Sequence, residues 1–434
     1  MLNQTPVVSQ EIHSRYAEIL ENELVLALGC TEPIAIAYAA ATAVELLGAF
    51  PDKMRVNCSG NIIKNVKGVI VPQSGGLKGV KPAAILGAVG GSADLKLEVL
   101  SKITEADREK TRTLLNQDFC EVKLIDNVPN LLIIVEVFSG SEQALVEIRD
   151  AHTRIVRKEK NGKTVYRDFS CSENVKTEKP AEIYLQMSLK DIFSFCRYGD
   201  IERILPVLKQ QEKYNSAIAE EGLLNPYGEQ VGATLMQHFG KDDVKIQARA
   251  MAAAGSDARM SGCVMPVVIN SGSGNQGITV CMPILMYAKH LNASDELKYR
   301  ALALSNLVSI YIKRDMGKLS AFCGAVSAAS GCGAGITFIS GGTDHQIAGT
   351  ITNTLANVAG IVCDGAKPSC AAKIASAVDA AILAHHMSMD GNVFGSGEGI
   401  VHSSIEKTIA NTARMGRDGM RDTDTEILNI MLEN

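Results

Sequence analysis

Leu28-Gly29-Cys30-Thr31-Glu32-Pro33 runs straight into Ile34-Ala35-Ile36-Ala37-Tyr38-Ala39-Ala40-Ala41-Thr42-Ala43-Val44-Glu45-Leu46-Leu47. The second part of that stretch decides the fold class. From Pro33 to Leu47 only Glu45 is charged, and the run falls short of the roughly 20 residues a bilayer span needs. A helix with no polar face must be buried on most sides, so it belongs in a core. Upstream, Ile12, Tyr16, Ile19, Leu20 and Leu24 have helical spacing over Glu11 to Leu26,. Gly29 can end that helix, and Thr31 with Pro33 can start the next. Cys30 is thereby set at a helix N-terminus, where free amides and the helix dipole favour a thiolate.

The Ala-rich texture returns from Ala181 onward, with Gly-rich breaks between helical segments. Those segments are Tyr184 to Phe195, Ile201 to Glu221, Val231 to Ala254, Gly277 to Leu291 and Asp295 to Lys313. They continue with Leu319 to Ala329, Asp344 to Val358, Cys370 to His386, Ser404 to Asn411 and a terminal helix. Between the two helical parts the pattern changes. Lys53 to Cys58 reads as a strand, and a strand-like run follows Ser59-Gly60 through Val71. Cys120 to Ile125, Leu131 to Val137, Ala144 to Ile148 and Thr153 to Lys158 read as successive strands with turns at Asn127-Pro129, Ser139-Gly140 and Asn161-Gly162,. The expected architecture is α+β, a large Ala/Gly-rich helical bundle with an inserted antiparallel-sheet subdomain. Residues 1–50 are N-terminal helices of the helical domain, 51–180 the insert, and 181–434 the remaining helical catalytic domain.

Composition narrows the function classes. The chain has 434 residues, 46% hydrophobic and 21% charged, with net charge −5 and no Trp. No basic field and little aromatic material argue against a nucleic-acid partner. No basic-then-apolar leader stands at Met1 to Glu21, so a cytoplasmic location without membrane association is expected. The 11 cysteines are then reduced, and metal binding or catalysis outranks a disulfide framework. Any one free cysteine is more often packing than chemistry. A site must therefore rest on several together.

Asn270-Ser271-Gly272-Ser273-Gly274-Asn275-Gln276-Gly277 precedes the helix that carries Cys281 and offers donors suited to a carboxylate or phosphate,. Next come Gly317-Lys318-Leu319-Ser320-Ala321-Phe322-Cys323-Gly324 and Ser330-Gly331-Cys332-Gly333-Ala334-Gly335. Nine helical steps of about 100° turn through about 900°, so Cys323 and Cys332 converge only if the helix breaks between them. Ser330-Gly331 and Gly333 supply a candidate break. With Cys281 from another helix, three thiols could then meet, leaving one position of a metal or cluster open. Cys363-Asp364-Gly365-Ala366-Lys367 could line a substrate pocket, with Lys367 pairing a carboxylate. Cys370 opens an Ala-rich helix and reads as packing. Cys58, Cys120, Cys171, Cys196 and Cys263 default to structure, and His385-His386 to a polar helix edge.

On Gly29 to Pro33, Cys58-Ser59-Gly60-Asn61, Ser271 to Cys281 and Ala321 to Gly335, the chain resembles the L-cysteine desulfidase family. It looks particularly like that family's uncharacterised bacterial branch. The family is related to the catalytic subunit of iron–sulfur-dependent L-serine dehydratases. The resemblance spans nearly the whole chain. It implies an oxygen-sensitive [4Fe–4S] cluster on three cysteines, which carries over to Cys281, Cys323 and Cys332. Whether Cys332 or Cys363 completes that set stays open. Cys30 matches a proposed proton acceptor, with a competing assignment as cluster ligand.

The implied reaction is α,β-elimination of L-cysteine to pyruvate, ammonia and sulfide. Ser271, Asn275 and Gln276 are expected to bind the small amino-acid substrate, with Ser59 and Asn61 if the insert covers the pocket, and Lys367 as a carboxylate partner. Three other functions are weighed. They are L-serine dehydration, a pyridoxal-phosphate lyase using Lys318 or Lys367, and a cluster-free small-molecule binding protein. Exposed apolar helix faces make a homodimer the expected assembly.

Overall fold

The Ala-rich run forms the helix Thr31–Leu47, with Cys30 as N-cap and Gly48, at φ 84°, ending it in the left-handed region. The structure, a computed structural model, describes residues 8–169, 182–317 and 319–433. Cys171 and Lys318 lie outside the described residues, as does the expected domain boundary near 180. Every residue from Thr31 to Ala43 is buried. The helix packs against the helix Val80–Gly90 and against the main sheet. A Cβ on Gly87 would lie 2.4 Å from the Ala37 carbonyl oxygen, so only small residues allow that approach.

The fold is α+β, 59% helical with a six-stranded mixed sheet and a two-stranded one. In chain order the strands are β1 (Leu26–Leu28), β2 (Lys53–Ser59), β3 (Cys120–Ile125), β4 (Leu132–Ser139), β5 (Glu142–Arg149), β6 (Ile155–Lys160), β7 (Lys163–Arg167) and β8 (Pro266–Val268). The large sheet runs β3-β2-β4-β5-β6-β7. All of its pairings are antiparallel except β2 with β3, which is parallel. A parallel pair needs a long crossover, and the helices Gly60–Lys67, Val80–Gly90 and Glu105–Leu115 supply it,. The strand-like reading through Val71 is corrected by the first of these. Its Ile62 and Val66 stand four apart on the buried face, a helical spacing that a short run leaves ambiguous.

The small sheet was not legible in the sequence, and it positions the site. Leu26 to Leu28 pair antiparallel with Val268 to Pro266. Just beyond them lie Cys30 on one side and the Asn270–Gly277 segment on the other. Gly29, at φ +59°, turns the chain between β1 and Cys30, and a Cβ there would run into the Pro72 ring at 2.2 Å.

In the helical half, the expected Val231 to Ala254 helix is two, Val231–Phe239 and Val244–Met260, divided at Gly240 with φ 100°. The expected break near Ser330-Gly331 does not occur. The helix Gly324–Ile339 is continuous and carries Cys332 in its interior. Its glycines serve packing. A Cβ on Gly331 would sit 2.3 Å from the Ser305 carbonyl oxygen of the helix Asp295–Lys313. Gly331→Ala should therefore lower stability by about 1–3 kcal/mol despite its better helix propensity, read as a shifted denaturation midpoint.

His385 is buried rather than edge-placed, whereas His386 is exposed. Its Nδ1 lies 3.0 Å from Thr337 Oγ1. Burial, helped by the neighbouring His386, lowers its pKa to about 4. The folded state thus holds the neutral ring while the unfolded chain takes up a proton below about pH 6.5. Stability should fall by up to about 3 kcal/mol as pH drops from 6.5 to 4, and His385→Gln should flatten that limb in pH-dependent denaturation. No helix among the described residues is long and apolar enough to cross a membrane.

Candidate active site

Four thiols border one cavity of about 100 Å³: Cys30, Cys323, Cys363 and Cys370. Three of them come to it through local backbone rules. Cys30 is the N-cap of its helix, Cys323 is the N-cap of Gly324–Ile339, and Cys370 is the first residue of Cys370–Met389. Cys363 is placed by an isolated antiparallel bridge between Phe322 and Val362. In that bridge the Cys323 amide donates to the Ile361 carbonyl at 3.1 Å and the Cys363 amide to Ala321 at 2.6 Å. The loop after Cys363 turns at Gly365, φ +94°, where a Cβ would meet the Lys64 carbonyl oxygen at 2.4 Å. Buried Lys64 donates to the Cys363 carbonyl at 3.1 Å and pairs with Asp424, tying this loop to the C-terminal helix Arg421–Glu433.

Cys323 and Cys370 both lie within electrostatic reach of Cys363. Burial, reinforced by Cys363 and Cys370, pushes the Cys323 thiol up to about 12. Burial also raises Cys370, against the pull of a backbone hydrogen bond from Lys367. Nearby Lys373, itself paired with Asp364, counters with positive charge. Three soft donors border one cavity beside basic groups and are the residues that could hold a thiolate-ligated cluster,. Among the described residues no three such side chains are gathered closely enough to hold a single metal ion.

Cys30 faces this group with a different partner. Its Sγ–H donates to Glu32 Oε2 at 3.0 Å. Glu32 Oε1 accepts from Asn65 Nδ2 at 2.9 Å and lies 3.9 Å from His152 Nε2. Burial alone would raise the Glu32 carboxyl, but His152 and the Cys30 thiol hold it well below the ordinary carboxylate range. The thiolate expected at this helix terminus is not the resting form. Burial and then the Glu32 charge raise the Cys30 thiol well above its ordinary value, outweighing the nearby Arg259. Thr31 Oγ1 donates to the Gly272 carbonyl at 2.9 Å, joining this segment to the Ser- and Gly-rich loop.

The other expected site residues divide. Asn275 and Gln276 line the cavity, as does Ser273. Ser271 does not; its hydroxyl donates to Asn270 Oδ1 at 3.0 Å inside the core. Ser59 and Asn61 border a separate cleft of about 290 Å³ with Asn127, Arg421 and Asp424, which contains no thiol. Ser320 lines both hollows. Lys367 pairs with Asp364 of its own loop instead of facing the cavity.

Of the expected group Cys281, Cys323 and Cys332, only Cys323 lines this cavity. Cys281 lies five residues beyond Gln276 on one helix, about 140° around the axis from it, and feels Glu212 and Lys298 instead. The Cys332 thiol donates to the Ala329 carbonyl at 3.1 Å within its own unbroken helix. Glu32, Asn65, His152, Arg259 and Lys313 are site or supporting residues that sequence reasoning missed. The signal for Cys363 and Cys370 was available. Cys323, Cys363 and Cys370 are spaced by 40 and then 7 residues, a long interval followed by a short one like the 42 and 9 of Cys281, Cys323 and Cys332.

Residues 94–429 match the serine dehydratase alpha chain family. The chain belongs to that family. Along nearly its whole length it is also similar to UPF0597 proteins of several bacteria. The one from Lachnoclostridium phytofermentans is 52% identical over 421 residues, covering 97% of this chain and 100% of that one. Those of Finegoldia magna and Treponema denticola are 46% and 43% identical, covering 96% and 97% of this chain and 99% and 98% of theirs.

Proposed function

We propose that the protein is an iron–sulfur-dependent lyase that removes the β-substituent of a small L-amino acid, L-cysteine in the first instance. Pyruvate, ammonia and sulfide are the products. The observation that carries this reading is the gathering of Cys30, Cys323, Cys363 and Cys370 around one cavity. Cys323, Cys363 and Cys370 would hold a [4Fe–4S] cluster. When bound, such a cluster supplies an incompletely ligated iron that acts as Lewis acid.

The chain's own residues account for the rest. Cys30 is the group that takes the α-proton, and its own proton must leave first. Glu32 Oε2 accepts from Sγ–H at 3.0 Å and its charge opposes ionisation, while the Arg259 charge favours the thiolate that must form. Asn65 and His152 hold the Glu32 carboxylate in place. Asn275 and Gln276, presented by the first turn of the helix Gly274–His290, supply polar contacts for the substrate's amino-acid end. Burial keeps water from competing for the base. Loss of the β-thiol leaves aminoacrylate, which hydrolyses without further help.

L-serine is the second reading, favoured by the name of the matching family. It shares the amino-acid end with L-cysteine and differs only in its leaving group. Anaerobic reconstitution with iron and sulfide, removal of excess sulfide, and parallel assay of pyruvate from both amino acids tests both readings. Sulfide and pyruvate in equal amounts from L-cysteine support the first. Pyruvate from L-serine alone replaces it with the second, and no pyruvate from either sinks both.

A further inference from the structure

The cavity contains a buried guanidinium that no carboxylate touches among the described residues. Arg259, on the last turn of the helix Val244–Met260, is 3% exposed and lines the cavity beside Cys30. Its Nη1 donates to Asn275 Oδ1 at 3.1 Å, and its Nε has no hydrogen-bond partner. No carboxylate lies within ion-pair distance of it among the described residues. A guanidinium cannot shed its proton, so burial does not neutralise it. Leaving such a charge unpaired is costly, and proteins keep one in that state where a ligand completes the pair.

Room has been kept for the guanidinium. A Cβ on Gly274 would come within 2.3 Å of Nε and 2.9 Å of Cζ. Lys313, also buried, adds a second cation to the same lining. Glu32, the one carboxylate bordering the cavity, is engaged by Cys30 and Asn65. The hollow is therefore set up for an anion arriving from outside.

Resting on the elimination reading above, we propose that Arg259 is the anchor for the substrate's carboxylate and restricts the site to amino acids whose carboxylate is free. The α-carbon is bonded directly to the carboxylate carbon. Holding the carboxylate at Arg259, beside Cys30, presents the α-hydrogen to the thiolate that Cys30 must form to take it. Amides and esters of the same amino acids lack the charge and are rejected, because they leave the guanidinium unpaired.

The test is equilibrium binding of L-alanine and L-alaninamide to the anaerobically reconstituted protein. Neither has a β-leaving group, so neither is consumed. The unmodified protein should favour the acid strongly. Arg259→Gln should weaken L-alanine by about 30-fold or more and leave L-alaninamide within about two-fold, with iron content unchanged. An acid-over-amide preference that survives Arg259→Gln overturns the proposal. So does loss of iron with that preference intact, which would assign the guanidinium to the charge of the cluster. Should Arg259→Gln not fold, Gly274→Ala carries the test, since its methyl group displaces the guanidinium without removing it. An unchanged preference there also overturns the proposal. Arginine-dependent acid selectivity without pyruvate from any substrate keeps the anchor and removes the lyase. Pyruvate formation with arginine-independent binding does the reverse.

Discussion

Alanine at Cys323, Cys363 or Cys370 should abolish iron binding by the anaerobically reconstituted protein, and turnover with it. Each of these thiols borders the cavity, and a cluster held by three cysteines has no spare protein ligand. Iron should fall from about four atoms per chain to near zero, read by iron and acid-labile sulfide analysis and by loss of visible absorbance. Alanine at Cys281 or Cys332 is the matched control. Both thiols are buried in helix interiors away from the cavity, so those variants keep their iron and lose only about 0.5–3 kcal/mol of stability. A Cys281→Ala protein without iron, beside a Cys370→Ala protein that retains it, would reverse the assignment.

Cys30→Ala separates the base from the ligands. With Cys323, Cys363 and Cys370 intact, iron content should match the unmodified protein while pyruvate formation falls by about 10²- to 10⁴-fold, the usual contribution of a positioned base. Glu32→Gln keeps a hydrogen-bond acceptor for Sγ but removes the charge that raises the Cys30 thiol, so the rise of turnover with pH should move to lower pH,. A colourless Cys30→Ala protein would move Cys30 into the ligand set. A fully active one would remove it from the mechanism.

The sequence made the fold class legible wherever one face or one period dominated. The buried helix Thr31–Leu47 and the strand Cys120–Ile125 were readable because every residue, or every second one, pointed to the same answer. The parallel pairing of β2 with β3 was not, because it depends on a crossover that local alternation does not encode. The site was half legible for a related reason. Cys30 and Cys323 were marked by small neighbours, and Cys30 also by a helix start, whereas the expected helix Leu319 to Ala329 hid the start after Cys323. The same small neighbours misled at Cys332, where Gly331, Gly333 and Gly335 serve helix contact rather than a break. The more useful rule lies in position along the helix. The thiols at helix starts, Cys30, Cys323 and Cys370, line one cavity, whereas those at mid-helix, Cys281 and Cys332, are buried away from it. Arg259 and Glu32 could not be singled out, since buried charge is a property of the assembled site.

The short ribbon formed by β1 and β8 has a kinetic corollary. It brings Thr31 to Gly272 across 241 residues of chain, a separation whose closing carries a large entropic cost before any contact repays it. Joining the two halves of the reaction centre should therefore come late in folding. A refolding chain would regain its helical signal first and its affinity for L-alanine only in a slower phase.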